Sequence, residues 1–76
     1  MSKVKVVFNS VNEVNDFVNI VNRYSFDMKL GRGDLVIGAT SILGIVNLGI
    51  SNKLDLHIAE DAFEIIENEI KPYIVE

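Results

Sequence analysis

The sequence predicts an α+β fold: a four-stranded antiparallel sheet with three helices packed on one face, an open-faced sandwich. Three observations predict it. Short segments of alternating apolar and polar residues recur at 3–8, 26–30 and 54–58, the period of half-buried strands, and the apolar run at 35–37 reads as the strand that completes a hairpin. The segments at 11–24, 41–49 and after 61 instead space their apolar residues for helices. The resulting order is βαββαβα within 76 residues, enough for a single domain, 1–76, and no more. One sheet covered on one side is the simplest packing for that order.

The first strand is Lys3-Val4-Lys5-Val6-Val7-Phe8, with Val4, Val6 and Phe8 facing the core. Ser10-Val11-Asn12-Glu13 then reads as a capping box. The Ser10 hydroxyl takes the Glu13 amide, and the Glu13 carboxylate reaches back to the Ser10 amide. The first helix follows over 11–24, with Val11, Val14, Phe17, Val18, Val21 and Tyr24 as its apolar stripe. Asn12, Asn15, Asn19 and Asn22 fall on one polar face, read as solvated. Rich in valine and asparagine, this helix has poor intrinsic propensity and must be held by packing.

The second strand is Phe26-Asp27-Met28-Lys29-Leu30, the turn Gly31-Arg32-Gly33-Asp34, and the third strand Leu35-Val36-Ile37, a hairpin. Gly31-Arg32-Gly33 lacks the lysine and the following helix of a phosphate-binding loop. A two-turn helix starts at Ser41 and stops at Gly49. Leu54, Leu56 and Ile58 alternate with Asp55 and His57 in the fourth strand. Asp61 caps the last helix, and Ala62, Ile65, Ile66 and Ile70 are its buried stripe. Pro72 marks its end.

Composition excludes several function classes. The apolar fraction is 49% and the charged fraction 24%, ordinary for a globular domain. There is no cysteine, hence no disulfide framework and no thiolate metal site. No apolar run approaches the ~18 residues of a membrane span. The segment Met1-Ser2-Lys3-Val4-Lys5 is too short and too alternating for a signal peptide. A cytoplasmic location is the expectation. Up to Gly38 there are five basic and four acidic residues; from Ala39 onward there are two basic and seven acidic. That balance argues against nucleic acid and against anionic membranes as partners. His57, the single histidine, lies in the polar phase of its strand and reads as a solvated residue. With no second imidazole or thiol it makes no metal site. No nucleophile–base pair or paired carboxylates are visible, so an enzyme is not expected, and no cofactor is implied.

The segment Ser41-Ile42-Leu43-Gly44-Ile45-Val46-Asn47-Leu48-Gly49 resembles the S-I-M-G-V-M-S-L-G segment of the HPr phosphocarriers of the bacterial sugar phosphotransferase system. Asp27-Met28-Lys29-Leu30, Leu35-Val36-Ile37 and Leu54-Asp55-Leu56-His57-Ile58 fall where that family has strands. The start of the first helix departs from it. The family carries H-A-R-P there, its histidine taking the phosphoryl group at the positive end of the helix dipole. Here Ser10 stands at the histidine position, Asn12 at the arginine and Glu13 at the proline. A serine hydroxyl is a weak nucleophile without a base, and its phosphate ester would not be readily passed on. No catalytic residue is therefore expected.

The resemblance implies a different site. Ser41 matches the family's regulatory, phosphorylatable serine, although serine is also a favoured N-cap there. Thr40 stands where many members have lysine. Ile42, Leu43 and Val46 match the family's partner-docking patch, or else cover the core of a small domain. The implied function is an HPr-like regulatory or partner-binding protein without histidine phosphoryl transfer. Its implied partners are phosphotransferase components, a serine kinase or a transcriptional regulator. A phosphocarrier in phosphoenolpyruvate-dependent sugar uptake, and a structural remnant with an unrelated partner, are the alternatives.

Overall fold

The computed structural model describes residues 2–75. The element order is β1 (Ser2–Val6), α1 (Val11–Val21), β2 (Lys29–Arg32), β3 (Leu35–Gly38), α2 (Ile42–Leu48), β4 (Leu54–Ile58), α3 (Glu60–Ile70), a 3-10 turn at Lys71–Tyr73, and β5 (Ile74–Val75). The sheet order is β3-β2-β4-β1-β5 and every pairing is antiparallel. The expected open-faced α+β sandwich is found, with five strands rather than four. The fifth is only two residues long, too short to show alternation in sequence. It forms because the turn around Pro72 swings the chain back along β1, pairing Val75 with Lys5 and Ile74 with Val6.

Alternation places one phase of each strand under the helices. Val6, Leu30, Leu54, Leu56 and Ile58 are buried there together with Val14, Phe17, Val18, Ile45, Leu48, Ile66 and Ile70. Phe8, Phe17 and Tyr73 form an aromatic cluster, with ring centroids 4.9–5.9 Å apart. Each such side chain contributes roughly 1.5–3 kcal/mol by leaving water. This is what holds α1, whose composition alone favours helix weakly.

Several boundaries differ from the sequence reading, each for a local reason. β1 spans Ser2–Val6, although Phe8 is still buried beyond it. α1 ends at Val21, not at residue 24. The amides of Arg23 and Tyr24 bond three residues back to Ile20 and Val21, tightening the last turn. Tyr24 instead stacks on Phe26 with centroids 5.1 Å apart. Val11 lies outside the buried stripe and is 54% exposed, because it is the first helical residue and stands at the rim.

The hairpin is displaced toward the C-terminus. Leu30 pairs with Ile37, Gly31 with Val36 and Arg32 with Leu35, so only Gly33 and Asp34 make the turn. Gly33 has φ of +60°, as the first central position of a tight hairpin turn requires. α3 begins at Glu60, with Ala59 as an N-cap that offers no side-chain bond. Asp61 is thus inside the helix, not its cap, and its carboxylate accepts from the Ala62 amide at 2.9 Å. Ala59 alone separates β4 from α3, and the Phe63 amide donates to its carbonyl at 2.9 Å, so the first helical turn already closes on Ala59. The buried stripe is Ala62, Ile66 and Ile70, with Phe63 half-buried beside it. Ile65, expected in that stripe, points outward and is 60% exposed. It lies about 100° around the helix from Ile66.

Candidate functional site

Two helix starts are capped by serine, and they differ in what surrounds the cap. At α1, Ser10 Oγ accepts from the Glu13 amide at 3.2 Å. The Glu13 carboxylate accepts from the Asn9 amide at 3.2 Å, one residue before the Ser10 amide expected from the sequence. The cap is therefore doubled, and Ser10 and Glu13 are half-buried. Burial raises the pKa of Tyr73, and the charges of Asp16 and then Glu13 raise it further. The start of α1 thus presents a negative field and no histidine or arginine.

At α2, Ser41 Oγ accepts from the Gly44 amide, also at 3.2 Å. Ser41 is exposed, and the two residues after it are apolar and exposed as well: Ile42 at 36% and Leu43 at 79%. Val46, one turn on, is half-buried, while Ile45 and Leu48 are in the core. The structure therefore brings Ser41, Ile42 and Leu43 together at one accessible helix start and leaves Val46 at its margin. α2 carries no charged side chain.

α2 is held by contacts the sequence reading did not assign. A Cβ at Gly44 would lie 2.8 Å from Ile37 Cδ1 and 2.9 Å from Ser41 Oγ. The glycine lets the helix approach β3 and leaves space for the capping hydroxyl. Arg32 donates to the Leu48 carbonyl at 3.0 Å, closing the other end of α2. Gly49 follows with φ of +119°, where a side chain would collide with Asn52. The only signal for these roles is the glycine spacing.

His57 is half-buried on the side of the sheet away from the helices. Its Nε2 lies 3.3 Å from where a Cβ on Gly31 would be, so the imidazole occupies space that glycine leaves open. Among the described residues, no group of three or more His, Asp or Glu side chains is placed to hold a metal ion. Among the same residues, no helix is long and apolar enough to cross a membrane.

This strand order, with three helices on one face and the other face open, defines an HPr-like α+β fold. The chain is similar to HPr-C-His from Thermoanaerobacter tengcongensis, with a TM-score of 0.72 and 23% identity over 93% of this chain and 92% of that one. It is also similar to the phosphocarrier protein HPr from Bacillus anthracis str. Ames, with a TM-score of 0.70 and 23% identity over 95% and 93% of the two chains. Neither a family model nor a curated protein sequence matches it.

Proposed function

We propose that this protein is an HPr-like binding protein that acts through the exposed start of α2, with Ser41 as a phosphorylation switch and without a phosphoryl relay at α1. The observation that carries the proposal is the contrast between two caps of equal geometry. At α1 the groups that would face a phosphoryl donor are engaged in a doubled cap beside Glu13 and Asp16. At α2 the serine is exposed beside Ile42 and Leu43. A phosphate on Ser41 would add roughly two negative charges next to an apolar surface and compete with its cap. Partner binding there would change with modification state. The partner is a protein of the phosphotransferase type, and the protein is not itself an enzyme.

Two labelling reactions test this. Mixed with phosphoenolpyruvate and the general phosphotransferase enzyme, the chain stays unlabelled; acid-labile phosphate on it would favour the phosphocarrier reading. An HPr-type serine kinase labels the chain and does not label Ser41→Ala. Undiminished labelling of that variant removes Ser41 from the proposal.

A further inference from the structure

β3 is one edge of the sheet, paired with β2 on one side only. The Ala39 amide donates to the Met28 carbonyl at 3.0 Å, in the register that sets Leu30 opposite Ile37 and Arg32 opposite Leu35. Along an antiparallel ladder, hydrogen-bonded pairs alternate with non-hydrogen-bonded ones. Leu35 and Ile37 therefore turn their amides and carbonyls toward β2, while Val36 and Gly38 turn theirs outward. The Gly38 carbonyl accepts from the Ser41 amide at 3.2 Å. Val36 is left with its amide and its carbonyl both facing the open side.

Nothing in the sequence blunts this edge. Folded sheets protect exposed edges with charged side chains, proline or bulges. Leu35-Val36-Ile37-Gly38 holds no charge and no proline, and its register with β2 runs without a bulge. Leu35 is 65% exposed and Val36 52%, although both are apolar. The other edge, β5, is only two residues long.

We infer that β3 pairs with β3 of a second copy of this chain, antiparallel, across a two-fold axis at Val36. This register sets Val36 opposite itself, where two amides and two carbonyls complete a pair of bonds. It sets Leu35 opposite Ile37 of the second copy, and the reverse, so these cross-strand side-chain pairs are all apolar. One row further, the turn residue Asp34 comes opposite Gly38 of the second copy, and Gly38 is itself opposite Lys29 on β2. Gly38 carries no side chain, and the space its Cβ would enter is open. Lys29 and Asp34, both exposed, then stand two strand spacings apart, about 10 Å, with no side chain between them. A lysine and an aspartate reach across that gap. The opposite charges meet once on each side of the axis, and this complementarity is what names a second copy as the occupant of the edge. The contact is isologous and closes as a dimer.

Sedimentation of the full chain across a concentration series tests this. The expected weight-average mass rises from 8.5 kDa and levels at twice that value. Val36→Lys sets like charges opposite each other at the axis and reduces the association at least several-fold. The chain has no cysteine, so a Val36→Cys variant reads the register directly. Opposed residues of a hydrogen-bonded pair have Cα atoms about 5.5 Å apart, within the span of a disulfide. Under mild oxidation this variant gives a linked dimer at least several-fold faster than Ile65→Cys, a position of similar exposure on α3. Circular dichroism checks that the variants fold. A single-chain mass at every concentration overturns the inference, and so does a mass that climbs past the dimer. Association unchanged by Val36→Lys, or cross-linking no faster at position 36 than at position 65, places the contact on another surface and overturns it as well.

Discussion

Ser10 and Ser41 do the same local work. Each precedes a helix, each has extended backbone, and each accepts from the amide three residues on at 3.2 Å. What differs is the next shell of side chains. Ser10 is followed by a glutamate that completes the cap and by Asp16 one turn later; Ser41 is followed by two exposed apolar residues on an uncharged helix. A serine cap is thus a structural device in both places. Only the surroundings make one of them an accessible surface, and that is why the functional reading rests on α2.

The comparison breaks most readily inside α2 itself, where Ile45 is fully buried and Leu43 is not. Ile45→Ala should cost about 2–5 kcal/mol, the loss of a buried side chain plus the cavity it leaves. Leu43→Ala should change stability by no more than about 0.5 kcal/mol, as surface substitutions usually do. Urea unfolding with an unchanged slope measures both. If Leu43→Ala is as costly as Ile45→Ala, the exposed residues of α2 serve packing. The case for a docking surface there then fails.

The two caps come next. Ser10→Ala and Ser41→Ala should each destabilise by about 1 kcal/mol, the usual worth of an N-cap. For a chain of this size that lowers the melting temperature by about 4–8 °C. Ser41→Asp keeps a capping oxygen and adds a charge, so it should retain most of the stability that Ser41→Ala loses. Partner binding should then separate the sites: Ser41→Asp weakens it while Ser10→Asp leaves it unaltered. Equal effects of the two aspartates would erase the distinction.

The sequence carried most of this fold in its periodicities. β4 and α2 were legible to the residue because Leu54, Leu56 and Ile58 alternate cleanly, and Ser41 and Gly49 bracket α2. β5 was not, since two residues cannot display a period and their pairing with β1 depends on the turn at Pro72. The hairpin slipped because Phe26 and Met28 alternate like strand residues. Cross-strand pairing instead selected Gly33-Asp34 as the two-residue turn. At the candidate site, the types and order of residues 41–43 were legible, but their exposure was not. A short apolar helix on a small domain can face either way, and only the packing of Ile45 and Leu48 decides it. The role of Gly44 was hidden for the same reason: a missing Cβ matters only once Ile37 is known to lie beneath it.

The smallest expected effect tests the negative field at α1. Tyr73 is held above the ordinary tyrosine value of 10.0, first by burial and then by Asp16 and Glu13. Tyr24 is raised mainly by its hydrogen bond to Glu69. In both cases the folded state binds the phenolic proton more tightly than the unfolded chain does. The stability this supplies is therefore complete below pH 10 and is lost as the pH rises through the folded-state value. In a Tyr24→Phe background, tyrosinate absorbance follows Tyr73 alone. Asp16→Asn should lower its titration midpoint, and Glu13→Gln, which keeps an acceptor for the Asn9 amide, should lower it less. Burial is unaltered by either change, so part of the shift must persist. A midpoint indifferent to both substitutions would mean that the start of α1 carries no such field. The two serine-capped helix starts would then differ in apolar exposure alone.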